Sequence, residues 1–182
     1  MRKLSVSPVF LALALFGMLG VSACRDSGGE GEYFALGGKI FVFNYRVATA
    51  TYLVNLVPLR PVEDGQTAVA SFEDPAGGAP LVVRQKIWPN MAKTTIESPP
   101  LRCVVKDRPY AISIRIEGPD GSVRQTIETT LASVDDQSIL PDKPLVVGPL
   151  YTPNPELAGH PDGKLPDSGA PPCPAAAPAA SG

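Results

Sequence analysis

The stretch that decides the fold is Tyr110-Ala111-Ile112-Ser113-Ile114-Arg115-Ile116-Glu117-Gly118-Pro119-Asp120-Gly121-Ser122-Val123-Arg124-Gln125-Thr126-Ile127-Glu128-Thr129-Thr130. Tyr110, Ile112, Ile114 and Ile116 alternate with Ala111, Ser113, Arg115 and Glu117, a period of two that puts one apolar and one polar face on an extended chain. Gly118-Pro119-Asp120-Gly121 supplies turn chemistry, and Val123, Ile127 and Leu131 then alternate with Arg124, Thr126 and Glu128. The segment predicts an antiparallel hairpin with one buried face.

The same period recurs upstream. Residues 39–47 place Phe41, Phe43, Tyr45 and Val47 on one face, and Thr49–Leu59 carries apolar residues on both faces, as a central strand does. Pro58 and Pro61 end that run, because proline cannot donate to a ladder, and Glu63-Asp64-Gly65 turns the chain. Thr67–Glu73 directs Ala68, Ala70 and Phe72 inward. In Leu81–Trp88, Leu81, Val83 and Ile87 share a face opposite Val82, Arg84, Lys86 and Trp88. Thr94–Ile96 and Leu101–Val105 read as one edge strand split by Pro99-Pro100, and Leu145-Val146-Val147 as a last strand. About seven short strands, turn signals every 8 to 12 residues and no convincing amphipathic helix in the body predict an all-β chain, a two-sheet antiparallel β-sandwich over residues 38–150. A partly open barrel is the alternative.

Beyond Leu150 the composition shifts to Pro, Ala, Gly and Asp, so residues 151–182 are expected to be a disordered, extended tail that cannot bury enough apolar surface to offset its ordering. Three cysteines are present. Cys103 and Cys173 are a possible disulfide that would tie the tail to the edge strand; alternatively Cys103 is simply a small buried hydrophobe.

At the other end, Met1-Arg2-Lys3 precedes an apolar run, Val9 to Val21, that is too short for the roughly 20 residues of a spanning helix. Residues 1–23 read as a lipoprotein signal peptide with a signal helix, and Val21-Ser22-Ala23-Cys24 resembles a bacterial lipobox. The Cys24 thiol would carry lipid, and several acyl chains at about 0.8 kcal/mol per buried methylene hold a protein firmly on a bilayer. Cleavage after Ala23 to a plain secreted protein is the alternative. Residues 24–37 form the lipidated cysteine and a flexible tether with a reach of roughly 20 Å, with Tyr33, Phe34 and Leu36 expected to pack on the domain edge, the alternative being contact with the membrane. Arg25, where Asp would favour inner-membrane retention, points to a periplasm-facing position on the outer membrane.

Loss of Arg2 and Lys3 from 16 basic residues leaves 14 against 18 acidic, a net charge of −4. No stretch interleaves Lys and Arg with aromatics, so nucleic acid is not an expected partner. The single histidine, His160, sits in the tail, which argues against a Ser/His/Asp or Cys/His centre, and no zinc spacing, phosphate loop or Gly-x-Ser-x-Gly elbow occurs. No catalytic residue, metal or cofactor is therefore expected. Asp135, Asp136, Gln137 and Asp142 lack the twelve-residue calcium-loop pattern and read as a solvated acidic loop. Trp88, beside Arg84 and Lys86, either anchors a partner or caps one end of the core. The Leu101–Val105 edge could accept a partner's strand.

With the lipobox, tether and Pro/Ala tail, three strand motifs carry a resemblance: Gly38-Lys39-Ile40-Phe41-Val42, Thr51-Tyr52-Leu53-Val54-Asn55-Leu56, and Tyr110 to Ile116 followed by Asp120-Gly121. Over Gly38 to Val147 the chain resembles the small lipoproteins that include the YscW-type pilots of type III secretion. Pro99-Pro100-Leu101-Arg102-Cys103 departs from the aromatic-rich strand of that family. The resemblance implies a non-catalytic protein that binds or escorts an envelope protein. Competing expectations are a small-ligand carrier or sensor using a cleft between the sheets and, third, an enzyme working through carboxylates alone.

Overall fold

In the computed structural model residues 31–174 are described; the expected signal helix, Cys24 and the end of the tail from residue 175 lie outside the described residues. The body is all-β. Seven strands, β1 (Phe34–Asn44), β2 (Thr49–Pro58), β3 (Thr67–Phe72), β4 (Leu81–Lys86), β5 (Thr94–Glu97), β6 (Pro109–Glu117) and β7 (Val123–Ala132), form two antiparallel sheets. One has the order β1-β2-β5 and the other β4-β3-β6-β7. This is a sandwich wound as an immunoglobulin-type Greek key, with the fourth strand paired to the third instead of the fifth.

The β6–β7 hairpin forms as its period demands. Ile112, Ile114, Ile116 and Tyr110 are fully buried, while Ala111 and Arg115 face solvent. A slip of one residue would send Arg115 and Glu117 into the core and expose three isoleucines, each contributing about 2 kcal/mol when buried, so the register is strongly fixed. The turn closes through Gly118 N–H to Ser122 O (2.8 Å), with Gly121 at φ +78°. Facing this sheet, Ala50, Tyr52, Val54 and Leu56 of β2 are completely buried. Tyr52 stacks on Phe72 (ring centroids 5.1 Å apart), and Phe41 packs on Tyr52 at 4.6 Å. These side chains fill the centre of the space between the sheets, and a pocket of about 300 Å³ remains at the β1–β7 side, lined by Lys39, Phe41, Phe43, Leu131 and Ser133.

Tyr110 fixes the corner that leads into β6. Its hydroxyl accepts from Val105 N–H at 2.8 Å, five residues upstream, the arrangement of a tyrosine corner in a Greek-key sandwich.

Several boundaries differ from those expected. β1 begins at Phe34, which is 2% exposed and pairs with Pro58, so the last four residues assigned to the tether belong to the sheet. β5 stops at Glu97, and beyond Pro99-Pro100 only Leu101 returns, as an isolated bridge to Ala50. Val146–Val147 (β8) joins neither main sheet; it pairs with Thr152–Pro153 (β9) in a small hairpin whose Leu145 N–H donates to Arg46 O at 2.9 Å.

The tail differs most. Residues 151–174 are not an extended appendage: Asn154 and Leu157 are buried, and Asn154 Nδ2 donates to Pro144 O (2.8 Å) while its Oδ1 accepts from Glu156 N–H (3.0 Å). Packing of this proline-rich segment is held by side chains that bond backbone groups: Asn154 to Pro144 O, Asp142 to Leu165 N–H, and Lys164 to Ser138 O and Leu140 O.

Candidate functional site

The sandwich has two unlike ends. At one end lie the start of β1 and the β2–β3, β4–β5 and β6–β7 connections; at the other lie the β1–β2 turn, the β3–β4 and β5–β6 connections and the segment that follows β7. The second end carries a groove of about 450 Å³ whose walls include Ala48, Leu101, Cys103, Gln137, Leu140 and Lys164.

One wall is the chain after β5. Leu101 N–H donates to Ala50 O at 2.8 Å, and two residues later Cys103 takes a left-handed conformation, φ +67°. That conformation costs a non-glycine residue about 1–2 kcal/mol. It turns the chain so that Val104 enters the core and the Cys103 thiol meets the tail. Cys103 and Cys173 are joined, Sγ–Sγ 2.06 Å and Cα–Cα 5.4 Å, across 70 residues of chain. The bond sets the position of the last described turn of the tail, where Arg102 Nη2 also donates to Pro171 O at 2.6 Å.

The opposite wall is a single 3-10 turn, Gln137–Ile139. Gln137 works as a strand against the other wall: its N–H donates to Val104 O (2.9 Å), its Oε1 accepts from Val104 N–H (3.0 Å) and its Nε2 donates to Leu101 O (2.8 Å). Leu101–Val105 is thus covered by Gln137 and Tyr110 and is not the open edge expected for a partner's strand.

The floor near the tail is built by Asp142 and Lys164. Asp142 Oδ2 accepts from Leu165 N–H at 2.8 Å and Oδ1 from Lys164 Nζ at 3.4 Å. Lys164 Nζ also donates to Ser138 O (2.8 Å) and to Leu140 O. Gly163, at φ +72°, is required here, since a Cβ would stand 2.5 Å from Pro141 Cβ.

Chemically, the polar groups of these walls are spent on holding them together. Asp142 is bound to the tail, Asp135 and Asp136 are exposed, and among the described residues no group of three or more His, Cys, Asp or Glu side chains stands where it could hold a metal ion. His160 lies outside the groove walls, with its N–H on Leu157 O (2.9 Å). Trp88 is 55% exposed with Lys86 Nζ 4.1 Å from its ring centroid, so it does not cap the core; Ile87, 1% exposed, does. No protein-family model matches the sequence, and no curated protein is similar to it.

Two organising residues escaped the reading of the sequence. Gln137 was hidden in an acidic run, where nothing marks a side chain that mimics a strand. Gln125 left a trace: it is the polar residue on the inward face of β7, between Val123 and Ile127.

Proposed function

We propose that the chain is a lipid-anchored envelope protein, held through Cys24 on the periplasm-facing side of the bacterial outer membrane, whose sandwich is a non-catalytic interaction or assembly module. YscW-type pilots, which the strand motifs resemble, are the model for such a role, and an envelope protein is the expected partner. The observation that carries this reading is the disposition of the three cysteines. Cys24 follows an apolar leader in a lipobox, and the remaining two are bonded to each other, a state that persists in oxidising compartments. The groove adds a recognition surface: its walls are pinned by Gln137, Lys164 and the disulfide, so little ordering cost would attend binding.

The test is a photo-crosslinker at exposed Ser138, on the groove rim, in intact envelopes, with Cys24→Ser alongside. Recovery of one specific envelope protein that depends on Cys24 supports the reading. A Cys24→Ser chain with unchanged mass at its mature N-terminus and unchanged membrane partition overturns it.

The small-ligand carrier is a second reading, now at the groove, whose volume falls within the range of small-molecule sites. A bound molecule in the native mass spectrum of protein purified from envelopes would favour it.

A further inference from the structure

The end of the sandwich opposite the groove has its own chemistry. Leu59 (51%), Trp88 (55%) and Met91 (55%) are the large exposed apolar side chains of the β2–β3 and β4–β5 connections. Leu56 pairs with Thr94, so the end of β2 and the start of β5 lie side by side at this end of the sandwich. Ile87 N–H donates to Gln66 O at 3.0 Å, which fixes Trp88 beside the start of β3. Lys86 covers one face of the indole, and Lys93 is exposed nearby on the same connection.

The chain enters the domain at this end. Leu59 N–H donates to Tyr33 O at 2.9 Å, and Phe34 pairs with Pro58. Cys24 precedes Gly31, the first described residue, by seven positions, and seven extended residues span at most about 25 Å. An anchor at Cys24 therefore tethers the entry end of the domain within about 25 Å of the headgroups.

We propose that Leu59, Trp88 and Met91 form a membrane-contact surface that seats this end of the sandwich on the leaflet carrying the Cys24 lipid. Trp is suited to that position because its ring is apolar and its indole N–H polar, and Lys86, whose ammonium lies over the ring and pairs with Asp64 at 3.4 Å, keeps the rim of the patch polar. Glu63 and Asp64 stand against Arg60, Lys86 and Lys93 at this end, with Lys86 paired to Asp64, so the contact is chiefly apolar and interfacial. The seated end turns the groove outward, about 35 Å away along strands of up to eleven residues. This inference rests on the lipid anchor proposed above.

Trp88 is the only tryptophan in the chain, which makes it its own probe. The mature lipoprotein, purified from membranes, is reconstituted into vesicles of phosphatidylethanolamine and phosphatidylglycerol, and then into the same vesicles with brominated acyl chains. Expected are co-flotation, a blue shift of the Trp88 emission, quenching by the brominated lipid, and a fall of about threefold in iodide quenching relative to detergent-free vesicles mixed with Cys24→Ser protein. In a Trp88→Phe background, Tyr151→Trp at the groove end should show neither lipid quenching nor protection. Co-flotation with Trp88 unquenched by brominated lipid overturns the membrane contact and leaves the anchor standing. Absence of co-flotation removes the anchor and this inference with it. A crosslinker at Met91 that forms protein adducts in whole envelopes, and none with lipid, also overturns it in favour of a protein partner.

Discussion

The side-chain amide of Gln125 pairs with the backbone of Phe34 as a neighbouring strand would. Its Oε1 accepts from Phe34 N–H and Tyr33 N–H, each at 2.9 Å, and its Nε2 donates to Phe34 O at 2.9 Å. Farther along, Lys39 Nζ donates to Thr129 Oγ1 and to Thr130 O. These two residues join the β1 and β7 edges, which belong to different sheets, and close one side of the sandwich. Edges so occupied are poor templates for a foreign strand.

Gln125→Ala should therefore cost more than a single hydrogen bond, because three half-buried backbone groups lose their partner together. A destabilisation of about 2 kcal/mol is expected, lowering the melting temperature by about 6 °C. Proteolysis should shift as well, with the first cut moving into residues 33–37. A melting temperature unchanged within error would show that water replaces the amide without loss.

The Cys103–Cys173 bond closes a long loop, and chain-entropy arithmetic for 70 residues gives about 4 kcal/mol. The Cys103→Ala, Cys173→Ala double variant should melt roughly 12 °C lower than the oxidised protein. Reduction of the native chain should reproduce that loss and expose residues 158–172 to protease while β6 stays protected. Equal melting temperatures for oxidised, reduced and double-variant protein would contradict the assignment.

The sheets were legible in the sequence because their physics is local and periodic. Alternation in Tyr110–Leu131 and Thr49–Leu59 fixes which side chains face inward, and prolines at 58, 61, 99 and 100 mark where ladders end. The groove was not legible, because it depends on side chains replacing strands. Gln137, Gln125 and Lys164 satisfy backbone groups tens of residues away, and no pattern within a window of ten residues announces such a pairing. The tail misled for the same reason. Its composition reads as disordered by hydrophobic content, whereas Asn154, Asp142 and the disulfide order it through hydrogen bonds and a covalent tie.

Lys164 is the keystone of the groove floor, so Lys164→Met should loosen the tail without disturbing the sandwich. Ser138 O and Leu140 O lose the Lys164 donor, and the Asp142 carboxylate keeps only Leu165 N–H. Amide hydrogen exchange should rise about tenfold at Asp142 and Leu165, whose N–H groups bond to Gly163 O and Asp142, and stay constant at Ile114 in β6. Equal acceleration throughout the domain would instead mean that the tail and the sandwich unfold as one unit.

Tyr52 should make the domain sensitive to alkali. Burial pushes its phenol well above the ordinary tyrosine value, and the nearby Glu73 carboxylate and Tyr110 push the same way. The hydroxyl donates to Glu73 O at 2.9 Å, a bond that only the protonated form makes. Below the unfolded value of about 10, both states hold the proton and the group contributes its full stability. As pH rises past about 10 the unfolded chain releases a proton that the folded chain keeps, so stability falls by about 1.4 kcal/mol per pH unit toward the folded value. Phenolate absorbance followed against pH, with Tyr52→Phe as the reference, should show Tyr52 titrating only as the protein unfolds. Tyr52→Phe should lose that slope, at a cost of about 1 kcal/mol at neutral pH for the missing hydrogen bond. If the Tyr52 contribution titrates reversibly near pH 10 with the fold intact, Tyr52 is reached by water and its buried position at the centre of the sandwich is wrong.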